Sequence, residues 1–189
     1  MSIIDERKRL LGDRKLRGSE FTLQLSDATD QWLRGLFSSV VESRTDLALI
    51  AVGGYGRRDL SPLSDLDVLL LHNDARDIEE VAEALWYPIW DQGEKLGHSV
   101  RTLNETLTLA SEDLDTATAL LSSRLIAGSQ SLANELSGNA ADQWKSKAKF
   151  WLPKLAESVH SRHRSKGEVA FMLEPELKEG RGGLRDVHA

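Results

Sequence analysis

The chain has 189 residues, 40% apolar and 29% charged, with 24 basic against 30 acidic side chains and a net charge of −6. That length and balance support a packed core, do not fit wholesale disorder and disfavour a broad duplex-DNA-binding surface, so no nucleic-acid partner is expected. The absence of cysteine excludes disulfides, thiolate metal sites and a cysteine nucleophile.

The N-terminus, MSIIDERKRLLGDRK, is charged throughout and lacks the apolar centre of a signal peptide. No later run approaches the roughly 20 apolar residues that span a bilayer. A cytoplasmic location with no membrane partner is the expectation. Residues 1–45 read as an N-terminal helical segment: Phe21, Leu25, Trp32, Leu33, Leu36, Phe37 and Val40 recur at near-helical spacing after a looser start. DLALIAVGG (46–54) reads as a buried strand stopped by glycines, and GRRDLSPLS (56–64) as a connection whose length Pro62 limits. DLDVLLLH (65–72) is a second buried strand. Ile78, Val81, Ala82, Leu85, Trp86 and Ile89 form one helical stripe, with Pro88 ending or kinking that helix. GHSVRTL (97–103) is a short third strand.

From 104 to 165 the pattern reads as mostly helical, with Leu107, Ala110, Leu114, Ala117, Leu120 and Leu121 as core candidates. The pattern predicts an α/β (α+β) fold: a small mixed sheet of four to five strands flanked by helices, followed by a helical C-terminal region. The domain expectation is a helical segment over 1–45, a catalytic core over 46–112 and a helical region over 113–189.

Asp65 and Asp67 are the chemically informative pair. Alternation along a strand points both to one face, where two carboxylates repel and are costly to bury. A divalent cation reverses that cost, and hard oxygen ligands suit Mg²⁺ or Mn²⁺, which commonly complete their shell with substrate phosphates and water. Gly53, Gly54 and Gly56 lie just upstream, where backbone amides can approach phosphate oxygens closely. Arg57 and Arg58 supply candidate charge-assisted contacts to a triphosphate, and Ser64 opens the Ser-Asp-x-Asp run. The catalytic and metal candidates are therefore Asp65 and Asp67. The nucleotide-binding candidates are Gly53, Gly54, Gly56, Arg57, Arg58, Ser64 and Arg101. Arg101 is read either as a substrate contact or as an ion-pair partner of the aspartates.

This stretch resembles the nucleotidyltransferase superfamily that includes DNA polymerase β, in which a Gly-Gly or Gly-Ser turn precedes Asp-x-Asp. More narrowly, GGYGRRDLSPLSDLDVLLL, GHSVRTL, LLSSRLIAG and LKEGRGGLRDVH resemble successive landmarks of the PII-protein uridylyltransferase family. The resemblance implies metal-dependent transfer of UMP from UTP, or AMP from ATP, to a tyrosine of a PII signalling protein in nitrogen regulation, with pyrophosphate released. It also implies a third carboxylate on a neighbouring strand, where this chain has His98 and Ser99; Asp91, Glu94 and Asp115 lie only nearby in sequence. Relatives usually continue into a His-Asp hydrolase domain and ACT domains, and these residues contain no His-Asp doublet. The chain therefore reads as an N-terminal fragment. Two other readings stay open: a nucleotidyltransferase with another acceptor, and a regulatory nucleotide-binding module without catalysis.

Other features carry blander readings. Arg124, in an apolar helical setting, reads as a structural ion-pair residue. His160 and His163 fall three apart on one helix face and, with no third ligand, do not read as a metal site. Seven basic residues between Lys145 and Lys166 against one acid, Glu157, read as a solvated face or a docking surface. KEGRGGLRDVH (178–188) reads as a packing turn or an anion-binding nest.

Overall fold

The computed structural model describes residues 3–41 and 44–188. They divide into two compact units, Met1–Ala141 and Asp142–Ala189.

The first unit is built on a four-stranded mixed sheet of order β3-β2-β1-β4. The strands are β1 (Leu47–Ala51), β2 (Leu66–His72), β3 (Leu96–Thr102) and β4 (Arg124–Gly128). β1 pairs antiparallel with both β2 and β4, while β2 and β3 run parallel across a helical connection. Two helices precede the sheet, α1 (Ile3–Gly12) and α2 (Gly18–Val40). A four-residue helix, α3 (Gly53–Gly56), follows β1, and α4 (Ile78–Asp91) makes the crossover from β2 to β3. Then come α5 (Leu103–Ala110), α6 (Leu114–Leu120) and, after β4, α7 (Gln130–Ser146), which runs on into the second unit.

Both central strands are buried on both faces, which explains their continuous apolar runs. Leu47, Leu49, Ala51, Leu66, Val68 and Leu70 form one core with Leu25, Leu33 and Phe37 of α2 and Val81, Ala82, Leu85, Trp86 and Ile89 of α4. The N-terminal helical segment is thus part of this unit's core. On the other face Ala48, Ile50, Leu69 and Leu71 are also buried. Pro88 does not end α4, which continues to Asp91. Local chemistry sets the helix starts on this side. Thr102 and Glu105 make a capping box at α5, and the Asp113 carboxylate accepts from the Thr116 amide at α6.

The segment containing Arg124 is a strand rather than part of a helix. Leu120, Ala117 and Ala110 are buried as the periodicity requires, but Leu121 is 45% exposed and the helix stops there. RLIAG has only one β-branched residue, so its strand character comes from pairing with β1 across a register shift, not from local propensity.

The second unit consists of the end of α7, α8 (Ala148–Lys166), a single 3-10 turn over Val169–Phe171 and a short α9 (Leu184–Val187). Asp186 organises it. Its carboxylate takes hydrogen bonds from Arg162 Nη2 at 2.7 Å and the Gly182 amide at 2.8 Å, and meets His163 Nε2 at 2.8 Å. His163 first, then the Gly182 amide and Arg162, hold this carboxyl far below the usual carboxylate range. The acid beside His163 thus comes from 23 residues away. The glycine motif is folded around it: the amides of Leu184 and Arg185 donate to the carbonyls of Leu177 and Lys178. Among the described residues no helix is long and apolar enough to cross a membrane.

Candidate active site around Asp67

The geometry starts at the end of β1. Ala51 is fully buried, the Val52 amide donates to the Asp67 carbonyl at 3.0 Å, and Gly53 then turns the chain with φ +57°. That left-handed backbone favours glycine. The turn brings this corner against the first residues of β2: a β-carbon at position 53 would lie 3.9 Å from Asp67 Oδ2. Leu66 is fully buried, whereas Asp65 and Asp67 on either side of it are exposed. Alternation therefore places both acids on the side away from Leu66. Asp65 makes no hydrogen bond or ion pair among the described residues.

β3 supplies the other wall. Asp67 stands opposite Gly97, and a β-carbon there would fall 2.3 Å from Asp67 Oδ1. Position 97 is left open for this carboxylate. We expect Gly97→Ala to cost under about 1 kcal/mol, because only the movable end of a side chain obstructs it. The carboxylate must swing away while the melting temperature stays nearly unchanged; thermal melts check this.

The short helix α3 is anchored from behind. The Tyr55 hydroxyl donates to Asp30 Oδ1 at 2.8 Å, and the Arg124 guanidinium pairs with both oxygens of that carboxylate. Burial first, then the Asp30 charge, pushes the Tyr55 phenol well above its usual range, so it stays a neutral donor. Arg124 is thus an ion-pair residue, on a strand. Tyr55 and Asp30 are missing from the sequence reading. The signal for Asp30 is an acid on the buried stripe of α2, one turn before Leu33 and one after Ser26.

Several sequence candidates lie elsewhere or are otherwise engaged. Gly56 is buried and its amide donates to the Val52 carbonyl; a β-carbon there would fall 1.8 Å from the Ser122 carbonyl oxygen. Close approach of two backbones by itself requires glycine at this position. Arg57 Nε donates to Asp59 at 3.1 Å, and Arg58 pairs with Asp27 of α2 while holding a left-handed φ of 66°. The Ser64 hydroxyl oxygen accepts from the Ser61 amide and closes the SPLS turn. Arg101 stands opposite Leu71, about 13 Å along the sheet from Asp67 at the usual strand rise, too far to pair with the aspartates. His98 faces the opposite side of the sheet, its ring 5.5 Å from those of Trp86 and Trp90. Glu94 is buried and paired with Arg7 at 2.6 Å. Asp91 closes α4 and Asp115 sits in the first turn of α6, both exposed. Among the described residues no three His, Cys, Asp or Glu side chains gather to hold a metal ion.

The corner that carries Asp65 and Asp67 lies inside a match to the nucleotidyltransferase domain family over residues 33–123, and the GlnD PII-uridylyltransferase family matches residues 149–189. The bifunctional uridylyltransferase/uridylyl-removing enzyme of Streptomyces coelicolor is 44% identical over 185 residues, 97% of this chain and 22% of that protein. Over nearly its whole length the chain is similar to PII-uridylyltransferases. The Mycobacterium tuberculosis H37Rv protein of the same description is 43% identical over 85% of this chain and 20% of its own length. That of Caulobacter vibrioides NA1000 is 37% identical over 90% of this chain and 20% of its own. The chain spans about a fifth of the length of the curated relatives it matches. A solved chain, described as a toxin–antitoxin with AMP-PNP, aligns over 69% of this chain and 98% of its own at 15% identity, with a TM-score of 0.41.

Proposed function

We propose that this chain is a nucleotidyltransferase domain that moves UMP from UTP, or AMP from ATP, to a tyrosine hydroxyl of a PII signalling protein. The observation that carries the reading is the setting of Asp67. Its carboxylate lies between the Gly53 corner and a position on β3 kept free of a β-carbon, with Asp65 on the same side of β2. Similarity to the nucleotidyltransferase domain and GlnD PII-uridylyltransferase families supports the transfer chemistry and the PII acceptor.

The donor set fits Mg²⁺ or Mn²⁺. Two exposed carboxylates offer hard oxygens and leave most of the coordination shell to water and phosphate, the usual arrangement for Mg²⁺. When bound, such an ion neutralises the triphosphate and polarises the phosphorus under attack. Asp65 and Asp67 would hold it. The Gly53–Gly54 backbone would seat the polyphosphate, since no side chain at 53 or 54 stands between main chain and ligand. In the transfer, the tyrosine oxygen forms a bond to the α-phosphorus, the bond from that phosphorus to the bridging oxygen breaks, and pyrophosphate leaves with that electron pair. The phenol proton goes to solvent. Arg57, whose Nη2 lies near Gly54, and Arg58 would reach the triphosphate by exchanging Asp59 and Asp27 for phosphate oxygens.

One observation favours a second reading, a binding module without transfer. On the Asp67 face of β3, the residue after Gly97 in the alternation is Ser99, where the superfamily resemblance implies an acid. A single assay separates the two. Purified chain is incubated with Mg²⁺, labelled UTP or ATP, and a PII protein. Label on the PII tyrosine supports transfer. Triphosphate binding without transfer, in a longer version of the chain as well, supports the module. Failure to bind either triphosphate overturns both.

A further inference from the structure

Asp30 is 2% exposed, yet it carries a charge inside the first unit. Burying an ion pair is a costly way to stabilise a fold, and apolar residues of similar volume commonly do as well. What this network does is geometric. Arg124 Nη1 and Nη2 hold the two Asp30 oxygens, Arg124 Nε donates to the Gly56 carbonyl at 3.2 Å, and Nη2 also reaches the Tyr55 carbonyl at 3.3 Å. The guanidinium carbon lies 5.5 Å from the Tyr55 ring centroid, and the Tyr55 hydroxyl closes the circuit on Asp30. One carboxylate of α2 and one guanidinium of β4 thus grip both the main chain and the side chain at the end of α3.

A four-residue helix cannot hold its own orientation, because too few of its hydrogen bonds are internal. Its position against Asp67 must come from outside. We propose that Asp30, Tyr55 and Arg124 are positioning residues that fix the Gly53–Gly56 turn relative to Asp67 and so set triphosphate affinity. The ligand half of this inference rests on the function proposed above. None of the three side chains touches the reacting atoms; they act through the backbone of the turn.

The test uses the full chain and two variants. Tyr55→Phe removes one hydrogen bond. Arg124→Lys keeps a positive charge for Asp30 but lacks the fork that reaches the two carbonyls. Leu136→Val, at a fully buried position of α7, is a control that lowers stability through packing alone. Amide exchange is followed over residues 52–59 and over β2, and binding of Mg²⁺–UTP and Mg²⁺–ATP is titrated. The expected result is faster exchange over 52–59 in both variants with β2 unchanged, and triphosphate affinity weakened about tenfold in Arg124→Lys. Leu136→Val should show neither effect. Wild-type binding with unchanged affinity in Arg124→Lys, or unchanged exchange over 52–59, overturns the positioning role and leaves the proposed function standing. Failure of the wild-type chain to bind either triphosphate overturns the function and this inference together.

Discussion

Asp67→Asn is expected to reduce nucleotidyl transfer about a thousandfold or more while leaving the melting temperature equal to or slightly above that of the native chain. An ion that neutralises a triphosphate contributes several kcal/mol to the transition state, and each 1.36 kcal/mol is a factor of ten, so losing its ligand costs about three decades. Asparagine keeps the shape that fits beside Gly97 and Gly53 but lacks the charge that would hold the cation. Stability should not suffer, because Asp65 and Asp67 lie on one side of β2 and one charge fewer lowers their mutual repulsion. Asp65→Asn should act in the same direction. The measurements are label transfer to PII, Mg²⁺-dependent triphosphate binding and thermal melts on the same preparations. A variant that transfers label at the native rate would remove Asp67 from the site. A variant that loses activity only in proportion to a falling melting temperature would make its role structural.

The sequence carries the parts of this fold that are encoded within one element. β1 and β2 are apolar runs bounded by glycine and by aspartate. Leu25, Leu33 and Phe37 on α2, and Val81, Leu85, Trp86 and Ile89 on α4, fall at helical spacing and are buried. The aspartate pair shows because a charge at every second residue before such a strand has few structural uses. What escaped the sequence depends on pairing between distant segments. Arg101 belongs to the strand beside β2, but only the parallel register, Asp67 opposite Gly97, places it at the far end from the corner. The Arg124–Asp30 pair is separated by 94 residues, and Tyr55–Asp30 by 25, so no local window contains either. Arg57 and Arg58 follow a glycine corner as phosphate-binding arginines would, yet the acids that hold them in this structure are Asp59 and Asp27, one nearby and one on α2. β4 is short and weak in local propensity, and it exists because β1 offers a free edge.

The glycines of GGYG give the sharpest separation of ligand from packing. Gly56→Ala is expected to destabilise the first unit by about 3 kcal/mol or more. The added carbon would sit 1.8 Å from the Ser122 carbonyl oxygen, 2.9 Å from its carbon and 3.1 Å from the Ala51 carbonyl oxygen, all main chain that cannot rotate away. Relief requires moving α3 off the segment between α6 and β4, which also pulls at the carbonyls that Arg124 holds. The melting temperature should then fall by roughly 6–12 °C. Gly54→Ala is the counterpart. The nearest atom to its added carbon is Arg57 Nη2 at 3.9 Å, an ordinary contact, and alanine is a better helix former than glycine. That variant should melt with the native chain yet bind triphosphate more weakly, since the new methyl group stands where the polyphosphate must approach the main chain. Thermal melts and triphosphate titrations on the two variants distinguish these roles. Weakened binding in Gly56→Ala with an unchanged melting temperature would give position 56 back to the ligand; native binding in Gly54→Ala would move the polyphosphate away from this corner.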